Sequence, residues 1–324
     1  MYFLITLIRN FLFDKGIIRA VSYNDVAVLC VGNIRVGGTG KTPMTEYLIR
    51  NLNGEFPLAV VSLGYKRKVK GFKEVLLSDT ASQVGDEPKQ MKEKFPMIPV
   101  FVNKDRNFAI NYIREHLPYI KLIVLDDAYQ YRKTKPMFSV LLTEYNRPYF
   151  NDRIIPYGRL RESSKGSKRA DYIIVTKCPD NINEQDKNRF IQRLNITEKQ
   201  QVFFSKIKYI LPGSLTEEAT DGNKHKKLLF VAGIDNPQPA VDFLKSKGYD
   251  VQLQKYADHH AFTSADIKQI KYLAKDGLGI ITTEKDAVRL KDKDISFEVL
   301  KIGNEIDNNF INQLKNGLRK NLRG

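Results

Sequence analysis

The run Gly37-Gly38-Thr39-Gly40-Lys41-Thr42 constrains this chain more than any other stretch. It comes after Val26-Ala27-Val28-Leu29-Cys30-Val31, an apolar segment that reads as a buried strand. Residues 43–53 come next and read as a helix with Pro43 in the first turn, where a missing N–H costs little. Strand, glycine-rich turn and helix together make a phosphate site. Small residues let backbone N–H groups point at an anion, and the helix N-terminus adds its dipole. The cradle expected to hold a nucleoside triphosphate runs Arg35, Val36, Gly37, Gly38, Thr39, Gly40, Lys41, Thr42. In it Lys41 reaches the β- and γ-phosphates and Thr42 offers its hydroxyl to Mg²⁺. The strict pattern places glycine five residues before Gly40; this chain has Arg35 there.

A chain of 324 residues suggests about two domains and ample material for a core. With 42% hydrophobic and 28% charged residues it is globular, not disordered. Its two cysteines, Cys30 and Cys178, have neither metal spacing nor a disulfide framework, which implies a reducing compartment. The net charge of +16 favours a polyanionic partner: nucleic acid, anionic lipid or a phosphorylated substrate. The N-terminus narrows that choice. Met1 to Ile8 is strongly apolar, but Arg9, Asp14, Lys15 and Arg19 interrupt the apolar residues beyond it. No uninterrupted span of about 20 apolar residues exists for a transmembrane helix, and no small-residue cleavage pattern marks a signal peptide. A helix lying in a membrane interface fits this mixture better than the alternative, a terminal helix packed on the protein's own core.

The first half alternates strand-like runs (26–31, 57–62, 98–102, 121–125, 138–142, 171–176) with helix-like ones (43–53, 83–94, 105–116). That rhythm, with nearly continuous apolar strands, indicates a parallel sheet covered on both faces. A helix is expected around 183–194, an extended linker strand over 202–210, and an exposed loop over 211–227. A second series comes after it: strand 228–233, helix 237–246, strand 250–254, helix 264–275, strand 278–282, and a helix from 305 onward. The fold class is α/β: a P-loop NTPase-like parallel sheet domain with a second, smaller α/β domain. The expected divisions are an N-terminal membrane-associated helix over 1–22, the P-loop domain over 23–205, and over 206–324 a smaller domain that closes over the site.

Several segments carry chemistry. The strand Leu122-Ile123-Val124-Leu125 ends in Asp126-Asp127, where P-loop proteins place the acid that holds Mg²⁺. Asp86 and Glu87 precede a helix, where they either complement its dipole or accept a proton from an attacking hydroxyl. Asp258-His259-His260 holds two of the four histidines; either can move protons or orient a carboxylate, and Asp258 can equally cap the next helix. Residues 156–169 and 65–70 form cationic loops suited to phosphate groups or to solubility.

Taken together these segments resemble the tetraacyldisaccharide 4'-kinase family of Gram-negative bacteria. The matching stretches, in order, are 31–43, Ser-Leu-Gly-Tyr (62–65), Gly-Asp-Glu-Pro (85–88), Asp-Asp-Ala-Tyr-Gln-Tyr-Arg (126–132) and Pro-Tyr-Gly-Arg-Leu-Arg-Glu (156–162). Val-Ala-Gly-Ile-Asp-Asn-Pro (231–237), Asp-His-His-x-Phe (258–262) and Thr-Glu-Lys-Asp-Ala-Val-Arg-Leu (283–290) continue the series. Where the family commonly shows Asp-Asp-Gly-Phe-Gln-His, this chain has Ala128 and Tyr131, so a role carried by that histidine has no counterpart here.

The resemblance implies ATP-dependent phosphorylation of the 4'-hydroxyl of a lipid-linked glucosamine disaccharide 1-phosphate. It places the enzyme at the cytoplasmic face of the inner membrane, anchored by its N-terminal helix. It implies Asp86 as proton acceptor paired with His259, and Lys41 as a catalytic cation. Asp126, Asp127 and Glu162, with Thr42, become the set around Mg²⁺; Arg161, Arg106 and Gln130 become the substrate contacts. A monomer without nucleic-acid partners is expected. Two other readings compete: a P-loop ATPase or GTPase that couples hydrolysis to partner binding, and a nucleic-acid module suggested by charge alone. The second lacks aromatic–basic RNA motifs and zinc-finger spacing.

Overall fold

The computed structural model describes residues 2–218, 227–275 and 277–322. The chain opens with helix α1 (Tyr2–Asp14), then β1 (Ala27–Asn33), α2 (Lys41–Leu52), β2 (Leu58–Ser62) and a short β3 (Lys73–Glu74). Next come α3 (Ala81–Val84), α4 (Asp86–Lys94), β4 (Val100–Val102), α5 (Arg106–His116), β5 (Leu122–Leu125), β6 (Phe138–Glu144) and β7 (Tyr172–Thr176). After α6 (Glu184–Leu194), β8 (Gln201–Ile210) and α7 (Gly213–Glu218) come β9 (Lys227–Ala232), α8 (Gln238–Ser246), β10 (Asp250–Lys255) and α9 (Ser264–Leu273). The chain closes with β11 (Gly279–Thr283), α10 (Glu284–Leu290), β12 (Glu298–Ile306) and α11 (Asn308–Leu322).

Among the described residues the strands form one twelve-stranded sheet in the order β10-β9-β11-β12-β8-β7-β6-β1-β5-β2-β4-β3. Pairing is parallel except at the β3 edge and between β8 and β12. The alternation expected of strands sorts side chains onto two faces. Ala27, Leu29 and Val31 of β1 join one core with Leu48 and Leu52 of α2, while Val28 and Cys30 join the opposite core with Ile110 and Ile113 of α5. The second series of strands has its own pair of cores. Helix α11 then returns to the first core with Phe310, Ile311, Leu314 and Leu318. Strand β8 passes through residue 205 and bonds to β7 on one side and β12 on the other, so the sheet continues through the expected domain boundary.

Three expectations need correction. The helix expected over 83–94 is broken at Gly85, whose φ of 101° is not helical, so Asp86 becomes the first residue of α4. The helix expected from 305 begins at Asn308, because residues 298–306 form a strand that pairs with β8. The loop expected over 211–227 contains α7, and its residues 219–226 lie outside the described residues.

Helix α1 is held by a few polar contacts. Arg132 donates to the Asn10 carbonyl at 2.9 Å, pairs with Asp14 at 2.7 Å and lies over the Phe13 ring. Its Leu4, Ile5, Leu7, Ile8 and Phe11 remain exposed. Among the described residues no helix is long and apolar enough to cross a membrane.

Candidate active site

The phosphate loop joins β1 to α2. Gly37 and Gly40 take positive φ values of 118° and 89°, which glycine adopts without strain. Buried Thr39 pins the loop: its hydroxyl accepts from Asn33 Nδ2 at 2.6 Å, and its carbonyl accepts from the Thr176 hydroxyl at 2.9 Å. Lys41 and Thr42 then open α2 on the wall of a cavity of about 840 Å³. Val36, Gly37, Gly38, Thr39 and Gly40 line the same cavity, as expected of the cradle. Arg35 does not. Its guanidinium is taken by Asp152 at 2.8 Å and Glu144 at 3.3 Å, so it braces the loop from behind.

Asp126 and Asp127 come directly after β5 and face the loop. Asp126 is buried, accepts from the Thr45 and Ser62 hydroxyls at 3.0 and 3.1 Å, and is pushed up to about 6 by burial and by the neighbouring Asp127 charge. Asp127 pairs with Arg161 at 3.1 Å and lies 3.8 Å from Lys41 Nζ. Arg161 also donates to Gln130, and Arg106 reaches the wall above the Tyr131 ring. Glu162 is the second residue out of place. It is fully buried and does not line the cavity; Arg169, Gln130 and Asn10 of α1 saturate its carboxylate at 2.8, 3.1 and 3.0 Å. It fixes Gln130 rather than contributing a free oxygen.

The opposite wall is assembled from both halves of the chain. His259 Nδ1 lies 2.7 Å from Asp86 Oδ2, across 173 positions of sequence. His260 points elsewhere: its Nε2 lies 2.9 Å from Asp266, in the capping box of α9. Burial raises the Asp86 carboxyl, but its bond to His259 and the Arg289 charge outweigh this and hold it below its ordinary value. Lys285 and Arg289 of α10 were not expected at this site. Lys285 Nζ lies 3.0 Å from His259 Nε2, and Arg289 Nε lies 3.4 Å from Asp86. The sequence did hold a sign of α10, since Thr283-x-x-Asp286 is a helix-start pattern, and Thr283 does accept from the Asp286 N–H.

Residues 1–319 match the family model described as Tetraacyldisaccharide-1-P 4'-kinase. The chain belongs to this family. Among its relatives are the "Tetraacyldisaccharide 4'-kinase" proteins of Flavobacterium johnsoniae and Bacteroides thetaiotaomicron. The first is 42% identical over 318 residues, covering 98% of this chain and 92% of the relative. The second is 40% identical over 320 residues, covering 93% and 83%. A crystal structure of the "apo" form of the Aquifex aeolicus protein in complex with ATP is similar throughout. It has a TM-score of 0.76 and 25% identity, covering 99% of this chain and 96% of that one.

As a tetraacyldisaccharide 4'-kinase family member the chain is a kinase, and kinases of this kind work with Mg²⁺. The donor set fits that ion. Mg²⁺ keeps several waters and takes one or two carboxylates together with substrate phosphates, not a closed protein cage. Thr42, Asp126 and Asp127 share the cavity wall beside the phosphate loop, and the crowding of charge that raises Asp126 is what a divalent cation would relieve. Among the described residues no cluster of three or more His, Cys, Asp or Glu forms a cage of its own.

Proposed function

We propose that this chain transfers the γ-phosphate of ATP to the 4'-hydroxyl of a tetraacyl glucosamine disaccharide 1-phosphate. One observation carries the reading: a single cavity has the phosphate loop on one wall and His259 on another, with Asp86 set just behind that wall and bonded to the His259 ring. A hydrolase needs only the first wall. An acceptor hydroxyl needs the second.

Phosphoryl transfer passes through a loose transition state, so the protein chiefly positions reactants and stabilises charge. Backbone N–H groups of residues 37–42 bind the phosphates, and Lys41 and Arg161 offset charge on the transferring group. Thr42, Asp126 and Asp127 would hold Mg²⁺, which would supply further charge neutralisation. Asp86 takes the proton of the attacking hydroxyl as the new O–P bond forms and the bond to ADP breaks. His259 orients that carboxylate. Arg106 and Gln130 complete the acceptor side.

Helix α1 lies in the membrane interface. Its exposed Leu4, Ile5, Leu7, Ile8 and Phe11 meet the acyl boundary, and Arg9, Lys15 and Arg19 meet anionic headgroups. The face is the cytoplasmic one, where ATP is available. The test is transfer of label from γ-labelled ATP in detergent micelles, with and without the tetraacyl disaccharide 1-phosphate. Mg²⁺-dependent label on the lipid is expected. Free phosphate without labelled lipid would move the weight to a coupled ATPase. Vesicle flotation of the chain lacking residues 1–20 tests the anchor; undiminished flotation would refute it.

A further inference from the structure

The Asp86–His259 pair has a cation on each side. Both cations come from one short helix, α10, four residues apart. Lys285 meets the imidazole at Nε2, 3.0 Å away, and Arg289 meets the carboxylate. An ammonium can only donate, so the Nε2 it faces must carry a lone pair. The proton of a neutral ring then sits on Nδ1, pointing at Asp86 Oδ2 2.7 Å away. The lysine itself is held in place. Its ammonium bonds His259 at 3.0 Å and Asp258 Oδ1 at 3.2 Å and forms an ion pair with Glu87 Oε1 at 3.5 Å.

We propose that Lys285 is a positioning residue that fixes the tautomer of His259, with the Nδ1 proton on the Asp86 side and Nε2 turned to the ammonium. This rests on the reading of Asp86 as proton acceptor. A ring protonated on both nitrogens would turn an N–H toward the ammonium and pair two positive charges at 3.0 Å. Such an ion would also bind Asp86 as a full salt bridge and make it a poorer base. The groups facing His259 are Asp86 and Glu87 of α4, Asp258 of its own loop, the Tyr65 ring after β2, and Lys285 of α10. The nearest carboxylate oxygens to Nε2 are at 3.8 and 3.9 Å, farther than the lysine, so the lysine dominates at that nitrogen. Arg289 acts on the other partner, with Asp286 holding its guanidinium at 2.9 Å. The backbone at His259 is left-handed, with a φ of 61°.

Two measurements test this. In the full-length protein with ¹⁵N-histidine, long-range ¹⁵N–¹H spectra should show His259 with its proton on Nδ1 and a bare Nε2. A proton on Nε2 overturns the proposal and leaves the Asp86 assignment untouched. The second is the pH profile of kcat for Lys285→Met and Lys285→Arg. Lys285 is one of the charges that hold the Asp86 carboxyl down, so the acidic limb of Lys285→Met should move up. Its kcat at neutral pH should drop about tenfold, with the KM for ATP nearly unchanged. Lys285→Arg should restore the limb. An unmoved limb with a raised KM for ATP would mean that Lys285 binds phosphate instead, and would sink the idea. If Lys285→Met fails to fold, the tautomer and the Lys285→Arg profile still decide. Loss of the Asp86→Asn effect on kcat would instead defeat the underlying acceptor reading.

Discussion

The two walls of the cavity are built by opposite strategies. The phosphate-loop wall is local: seven consecutive residues, 36–42, with a strand before them and the helix they open define it. The Asp86–His259 wall is tertiary. It joins the start of α4, a loop after β10 and the first two turns of α10, and exists only when both halves of the chain have folded together. The first wall can bind phosphates by itself. The second gives it an acceptor. Nucleotide binding and transfer should therefore be separable by mutation.

The largest expected effect tests that separation. Lys41→Ala removes a charge facing the phosphates in ground and transition states, and should cut transfer about 10³-fold while weakening nucleotide binding. Asp86→Asn should cut kcat about 10²-fold or more and leave the KM for ATP near its original value. If Asp86→Asn raised that KM as much as Lys41→Ala, the two walls would not be functionally distinct.

A smaller effect concerns how the tertiary wall is seated. Gly85 sits at a φ of 101°, and a Cβ there would meet the Gly64 Cα at 2.9 Å, backbone against backbone. The two glycines let the loop carrying Tyr65 lie against the start of α4. Gly85→Ala should cost about 3 kcal/mol by denaturant melts and lower kcat by displacing Asp86. An unchanged midpoint would mean that the seat is more pliable than its geometry indicates.

The same contrast explains what could be seen in the sequence. A contiguous motif encodes its geometry in spacing, so the cradle and the Asp126-Asp127 strand end were legible. Spacing does not encode which ionic partner a side chain takes. Arg35 was expected on the nucleotide and Glu162 on the metal, yet Glu144, Asp152 and Arg169 claim them in the interior. Lys285 and Arg289 were missed because their importance lies in contacts with His259, 26 positions away, and with Asp86 in the other half of the chain, which no local pattern carries. The choice between His259 and His260 from the residues alone was open for the same reason; Asp266, six residues on from His260, is what takes it away from the site.

The two walls also differ in what their carboxylates do to the fold, and here the expected effects are smallest and opposite in sign. Asp126 is pushed up to about 6 by burial beside Asp127. An acid whose folded pKa is raised binds its proton more tightly when folded, so stability falls as pH rises from about 4 to about 6 and the full cost is present at pH 7. Asp86 is held below its ordinary 3.8. Its ionised form stabilises the fold above that value, and the contribution is lost as pH falls through the lower native value. Without nucleotide or metal at pH 7, Asp126→Asn should therefore raise stability by about 1 to 3 kcal/mol. The hydroxyls of Thr45 and Ser62 can each turn to donate or accept, so asparagine keeps both contacts. Asp86→Asn should lower stability by about 1 kcal/mol, because Arg289 and Lys285 lose the anion between them. At pH 3.5 both differences should shrink, since each aspartate is then closer to the charge state of its asparagine replacement. Shifts of the same sign at pH 7 would show that the two carboxylates sit in equivalent fields, and the contrast between a strained metal-side acid and a supported acceptor-side acid would fail.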